Sequence, residues 1–255
     1  MTRARVLLGT LLLPLLCARW GVCADADTAA SLEKFNRAYR ESRLEEAIKG
    51  YRSLIAAAPD SPALHYNLGN AYYRFGQTGS LGLAIASYQR AFALSPRNAD
   101  IRHNLDFALH RAGESLVPPG TPAALFLLFQ LLSAAELRVL EVAGLWAVCL
   151  LGSLWLLAPR LRPKIGTPLL AAAALWIAGA AWWGMRSAST PAKMGVILIQ
   201  NAEARSGPGE NFQVSFQSPE GRRVSILGEK GPWLEIGVLK EGLRGWVPAD
   251  AIEKI

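Results

Sequence analysis

From Ala29 to about Gly113 apolar residues recur at helical spacing, and the chain repeats itself with a period near 34 residues. Setting "FNRAYRESRLEEAIKGYRSLIAAAP" against "GNAYYRFGQTGSLGLAIASYQRAFALSP", with a gap of about three residues, brings Ala47, Tyr51 and Pro59 over Ala84, Tyr88 and Pro96. A repeat of this length is one supersecondary unit that cannot bury its apolar face alone, so successive units must stack. Small Gly69, Ala84 and Ala91 let two antiparallel helices approach closely, aromatic residues fill the space between units, and Pro96 stops the second helix. "ADIRHNLDFALHRAG" matches the first half of a third unit and caps the stack. Five helices over residues 28–114, two repeats and a cap, are expected.

Leu68, Gly69, Tyr72, Gly76, Ala84, Tyr88, Ala91 and Pro96 of the second unit resemble the signature of the tetratricopeptide repeat. The first unit departs from it, with Phe35 and Ala38 where Gly and Tyr are usual and Ser42 in place of the turn glycine. "TGSLG" lengthens the inter-helix turn of the second unit. The resemblance implies a concave surface lined by the first helix of each pair. Asn36, Tyr39 and Arg40 would face it from the first unit, and Asn67, Asn70, Tyr73 and Arg74 from the second. His103, Asn104, His110 and Arg111 would face it from the cap helix. Asn36 and Asn67 stand where some family members clamp a peptide's terminal carboxylate, although Leu32 occupies the place of the usual preceding basic residue. The alternative is a solvated polar face whose Asn residues suit helix packing.

Hydrophobic residues make up 51% of the 255, and the mean hydropathy is +0.20, high for a water-soluble chain. Residues 1–24 read as a secretory signal: Arg3 and Arg5, the apolar run "VLLGTLLLPLL", then "VCA" with cleavage after Ala24. An uncleaved anchor is the alternative, and either version exports the chain from Asp25 onward. "SLVPPGTP" breaks the helical pattern as a linker over 115–122, and "AALFLLFQLL" opens an interfacial helix over 123–132, too short to span. Ser133 and Glu136 have capping-box spacing ahead of an apolar run, and a second run ends in Trp182, Trp183 and Arg186. These give spans at 137–158 and 168–186. The loop between them, 159–167, carries Arg160, Arg162 and Lys164 and is expected in the cytoplasm of a bacterium, which puts both polar parts in the periplasm.

The net charge of +7 is concentrated beside the apolar runs, while residues 25–121 and 195–255 are nearly neutral. That distribution marks membrane topology and argues against nucleic acid as a partner. Cys17, Cys23 and Cys149 have no CxxC spacing and no nearby His, so nothing calls for a metal, a cofactor or redox chemistry. His65, His103 and His110 fall in the repeat helices with no nucleophile spaced to them, and "SGPG" is a turn with no helix after it. No catalytic constellation is present in the sequence, and a role other than catalysis is expected.

Residues 195–255 change to short apolar alternations broken by Gly and Pro, expected as five or six strands closing into a small barrel. "EARSGPGENF", "RRVSILGEKGPWLEI" and "GLRGWVPADAI" resemble the strands of a bacterial SH3-like domain. Trp233 and Trp246 either fill the core or stack on a ligand. Arg205, Asn211 and Phe212 are the exposed candidates on their loop.

The expected architecture is multidomain: an all-α tetratricopeptide helical array, a two-helix transmembrane hairpin and a small all-β SH3-like barrel. In this order the parts resemble the E-type proteins of the bacterial aerotolerance (Bat) operon. That resemblance implies a scaffold in membrane lipid, partnered by von Willebrand factor A-type membrane proteins and indirectly by a MoxR-type ATPase, in envelope or oxidative stress tolerance. A module that binds peptidoglycan through the barrel and recruits wall enzymes through the repeats is the rival reading.

Overall fold

The computed structural model describes residues 26–118, 120–189, 193–238 and 241–255, so the expected signal at 1–24 lies outside the described residues. Its first part is a run of antiparallel helices, α1 (Ala26–Arg40), α2 (Leu44–Ala57), α3 (Pro62–Phe75), α4 (Ser80–Leu94) and α5 (Ala99–Arg111). Local chemistry sets their ends. Pro62 opens α3 at a position where its missing N–H has no helical partner to lose, and Asn98 caps α5 by accepting from the backbone N–H groups of Asp100 and Ile101. Gly76 ends α3 in the left-handed region at φ 67°, and Ser42, 34 residues earlier, takes the same conformation at φ 62°. Consecutive helices pack through fully buried Ala38, Ala47, Ala71, Ala84, Ala91 and Ala108, with Tyr51, Tyr88, Leu105 and Leu109 filling the space between pairs.

The short helix α6 (Ala123–Phe129) buries none of its residues fully and exposes Leu125, Leu127 and Leu128, while Phe126 turns in against the array. α7 (Ala134–Leu157) begins with the Ser133/Glu136 capping box. After a 3₁₀ turn at Pro159–Leu161, α8 (Arg162–Ser189) returns antiparallel, with Pro168 inside it. Much of the basic segment between the apolar runs is therefore helical. Close approach of the pair is set by Gly144 against Trp176 and Gly179 against Glu141. Both helices are long and apolar enough to cross a membrane. At 24 residues α7 is about 36 Å long.

Seven short strands form the C-terminal part: β1 (Met194–Ile197), β2 (Ala202–Arg205), β3 (Val214–Ser218), β4 (Arg223–Lys230), β5 (Trp233–Val238), β6 (Leu243–Pro248) and β7 (Ile252–Lys254). All pair antiparallel in the order β3-β2-β6-β5-β4-β1-β7 around a core of Ile197, Val224, Leu234, Ile236 and Val247. The expected barrel is not closed: β3 and β7 end the sheet. The β7 edge is held instead by α4, whose Arg90 donates to the Glu253 carboxylate and to the Lys254 carbonyl. Trp233 and Trp246 are half-buried on β5 and β6.

The helical array and the sheet pack against each other, and the lengthened turn "TGSLG" is where they meet. Gly82 lies so close to the Ile197 carbonyl that a Cβ there would sit 2.5 Å from its oxygen. α4 has no capping side chain of its own; the Glu220 carboxylate accepts from the Leu81 and Gly82 N–H groups at 2.9 and 3.3 Å, favourably placed at a helix N-terminus. Gly221 has φ 84°, and a Cβ on it would meet Ala112 and Ile85. Val196 of β1 belongs to the core of the array.

Candidate functional site

The concave face is built by α1, α3 and α5, and its floor is a ladder of amides. Asn36, Asn70 and Asn104 occupy equivalent places 34 residues apart. Tyr51 donates to the Asn36 side-chain oxygen at 2.8 Å, and Tyr88 donates to that of Asn70 at 2.7 Å. Burial pushes the Tyr51 phenol up to about 12 and raises that of Tyr88 further, so both stay protonated and keep donating. Asn67 donates to the same Asn36 oxygen at 3.4 Å, and Asn104 bridges Asn70 and the Tyr66 hydroxyl, both at 3.0 Å. These bonds fix how each amide points. Among the described residues the Asn70 amide nitrogen makes no hydrogen bond, so an N–H donor remains for a ligand, and Asn104 keeps its oxygen as an acceptor.

Beside the amides runs an aromatic row, Tyr39, Tyr73 and Phe107, again 34 residues apart. Arg74 lies 5.3 Å over the Tyr39 ring, and Arg111 lies 5.7 Å over the Tyr73 ring and donates to its hydroxyl at 2.9 Å. Arg74 also donates to the Tyr39 carbonyl at 3.0 Å and to the Ser42 hydroxyl at 2.8 Å, bracing the first inter-helix turn. Both guanidiniums therefore bond to neutral oxygens and keep their charge uncompensated among the described residues. Arg40 differs, since it pairs with Glu33 at 2.6 Å and its guanidinium holds that carboxyl below its ordinary range.

Two hollows open on this face. One, of about 190 Å³, is lined by Asn36, Tyr39, Arg40, Tyr51, Asn67 and Asn70. The other, of about 450 Å³, includes Tyr39, Asn70, Tyr73, Arg74, His103 and Asn104, with Tyr88 and Phe107 completing it. His110 is set apart, exposed and 3.5 Å from Asp106. Nine of the eleven groove candidates line these hollows; Arg111 lies outside them over the Tyr73 ring, and His110 is outside both. The structure adds Tyr51, Tyr66, Tyr88 and Phe107, which the sequence signals through spacing alone: Tyr51 aligns with Tyr88, and Phe107 follows Tyr73 by one period.

On the sheet, Arg205 donates to the carbonyls of Glu210 and Phe212 at 2.8 and 2.9 Å and pairs with Glu203. It braces its loop from within. Phe212 is half-exposed with its ring laid on Gly207, and Asn211 is exposed. Among the described residues no group of three or more His, Cys, Asp or Glu is placed to hold a metal ion.

Comparison with known proteins adds a family and similarity to solved structures. A model described as "TPR repeat" matches residues 36–76. No curated protein matches the chain. Among solved structures, the chain is similar to the first tetratricopeptide domain of Spaghetti (RPAP3) bound to the HSP90 peptide SRMEEVD, at 27% identity over 36% of this chain and 75% of that one, with a TM-score of 0.31. The chain thus carries tetratricopeptide repeats, a scaffold for protein–protein contact, joined to two long apolar helices and an antiparallel sheet.

Proposed function

We propose that this chain is a membrane-anchored adaptor whose concave groove holds an extended, acidic segment of a partner protein. The observation that carries this reading is that Arg74 and Arg111 each lie over an aromatic ring and bond to neutral oxygens, with the open Asn70 donor lining the same hollow as Arg74. An extended backbone offers carbonyls to Asn70 and an N–H to Asn104, and acidic side chains complement the two guanidiniums. The anchor is the α7–α8 hairpin, with Arg160, Arg162 and Lys164 on the cytoplasmic side and the array and sheet in the periplasm. Two spans return the chain to the side it left, as the packing of array on sheet requires. The sheet belongs to the bacterial SH3-like class, and the partners are von Willebrand factor A-type membrane proteins linked to a MoxR-type ATPase in a Bat-type assembly for envelope or oxidative stress tolerance.

Because the sheet is packed onto α4, array and sheet present one joined surface to a partner and not two freely tethered modules. Gentle detergent extraction of the tagged chain from its native membrane, with crosslinking and mass spectrometry, tests the reading. Crosslinks from α3 and α5 to an acidic segment of a von Willebrand-type protein are expected. Wall-synthesis or wall-cleaving enzymes crosslinked through the Phe212 loop would replace it with the peptidoglycan-directed reading.

A further inference from the structure

The array is followed by a short helix that turns leucine outward. At about 100° per residue, Leu125, Leu127 and Leu128 of α6 form one arc opposite Phe126, the side chain that packs on the core of the array. Leu125 and Leu128 are more than half exposed, and Leu127 and Leu131 are exposed beside them. From Ser115 to Ala135 the sequence holds no Asp, Glu, Lys or Arg, so no charge interrupts this face. A run of exposed apolar side chains without a charge among them marks a surface made for contact.

The attachments of α6 identify what makes that contact. The turn after it, residues 130–133, is tied to the open end of the α7–α8 hairpin from both sides. Arg97 of the array donates to the Leu131 carbonyl at 3.4 Å and to the Glu136 carboxylate in the first turn of α7, while Arg186 in the last turn of α8 donates to the Leu132 carbonyl. Trp182 and Trp183 lie one turn before Arg186, and Trp183 is exposed. Such aromatic residues collect where a membrane span meets water. The leucine face is therefore continuous with the boundary end of two helices long and apolar enough to cross a membrane. With seven residues, α6 is about 10 Å long, too short to cross and suited to lying along the surface.

We infer that Leu125, Leu127, Leu128 and Leu131 enter the bilayer surface, so that α6 seats the last helix of the array on the membrane. Arg102, His103 and Asp106 of α5 line a hollow together with Phe126 and Leu127 of α6. His103 also lines the larger hollow of the concave face, so the groove ends beside the seated helix. The inference rests on the membrane-anchored reading above and on nothing about what the groove binds.

The test places a photo-crosslinking phenylalanine analogue in the full chain at Leu128, at the exposed Leu175 of α8, or at the exposed Lys49 of α2. Each chain is irradiated in phosphatidylcholine nanodiscs and, separately, in the membranes of the cells that make it. Mass spectrometry should find phospholipid attached from Leu128 within about threefold of the yield from Leu175 and about tenfold above that from Lys49. With the analogue moved to Leu131, Leu125→Glu combined with Leu128→Glu should cut the lipid yield about tenfold. Both side chains lie away from the array core, so that variant should melt with the parent chain. Lipid from Leu175 but not from Leu128 would overturn the inference and leave the anchor standing. A Leu128 product with another protein or with a second copy of the chain, in place of lipid, would overturn it too, as would a Leu131 yield unaffected by the double substitution. Lipid from neither Leu128 nor Leu175 would remove the anchor and the inference with it.

Discussion

Arg223 of the sheet donates to Glu114, just beyond the last helix of the array, at 2.8 Å, with the two side chains only 16% and 12% exposed. The same guanidinium donates to the Ser115 carbonyl at 2.8 Å, and the Arg223 N–H also points to Glu114. A charge pair this withdrawn from water is costly to break from one side, because the remaining partner loses its compensation. Glu114→Gln should therefore destabilise the chain by about 2 kcal/mol, lowering its melting temperature in detergent by several degrees. An unchanged melting curve would show that array and sheet do not depend on this contact.

Gly82 tests the same junction by shape. The Cβ of Gly82→Ala meets the Ile197 carbonyl, a backbone atom that cannot swing aside, so a loss of about 1–3 kcal/mol is expected. Gly152→Ala, in open space on α7, serves as the control and should melt with the wild type. Equal melting of both variants would contradict the packing of array on sheet.

Ser42 holds a left-handed turn that glycine holds in the second unit. Ser42→Gly relieves about 1 kcal/mol of backbone strain but removes a hydroxyl bond to Arg74 worth about 1.5 kcal/mol, so the two nearly cancel. Ser42→Val keeps the strain, loses the bond and should cost at least about 2 kcal/mol. Denaturant titration of both variants separates these expectations.

His65 is buried, with Nε2 2.8 Å from the Pro59 carbonyl and Nδ1 without a hydrogen-bond partner among the described residues. Burial lowers its pKa from the ordinary 6.5, outweighing the Pro59 hydrogen bond. The unfolded chain therefore binds a proton before the folded chain does. Stability attributable to His65 is flat above the unfolded value and falls as pH drops below it, levelling off beneath the lowered folded value. Melting temperature measured through that window should decline in the wild type, and the decline should shrink in His65→Gln.

The helices of the array and both apolar helices are legible in the sequence because their signals are local: apolar spacing, Pro96 after a helix, the Ser133/Glu136 box. The groove is legible in its residues but not in its order. The family resemblance couples Asn36 with Asn67, whereas the structure sets Asn36, Asn70 and Asn104 in one row and uses Asn67 as a donor to Asn36. A strict 34-residue register already contains that row. Arg74 reads as a groove cation, and its bond to Ser42 cannot be read from spacing because it joins the second unit to the inter-helix turn of the first. "TGSLG" reads as a lengthened turn and nothing more. Its partner, Glu220, lies 139 residues from Leu81, and no local pattern announces a contact at that distance. The unclosed sheet has the same origin, since the strand alternation is local while the α4 contact at β7 is not.

The central claim is that a partner's extended segment lies in the concave groove. The most direct measurement places a photo-crosslinking phenylalanine analogue at Phe107, on the groove, or at Lys49, exposed on the outer helix α2, and irradiates intact cells. The account predicts a crosslinked partner from Phe107, none from Lys49, and loss of the Phe107 product when Arg111→Glu reverses the neighbouring charge. Equal crosslinking from both positions, or a Phe107 product indifferent to Arg111→Glu, would contradict it.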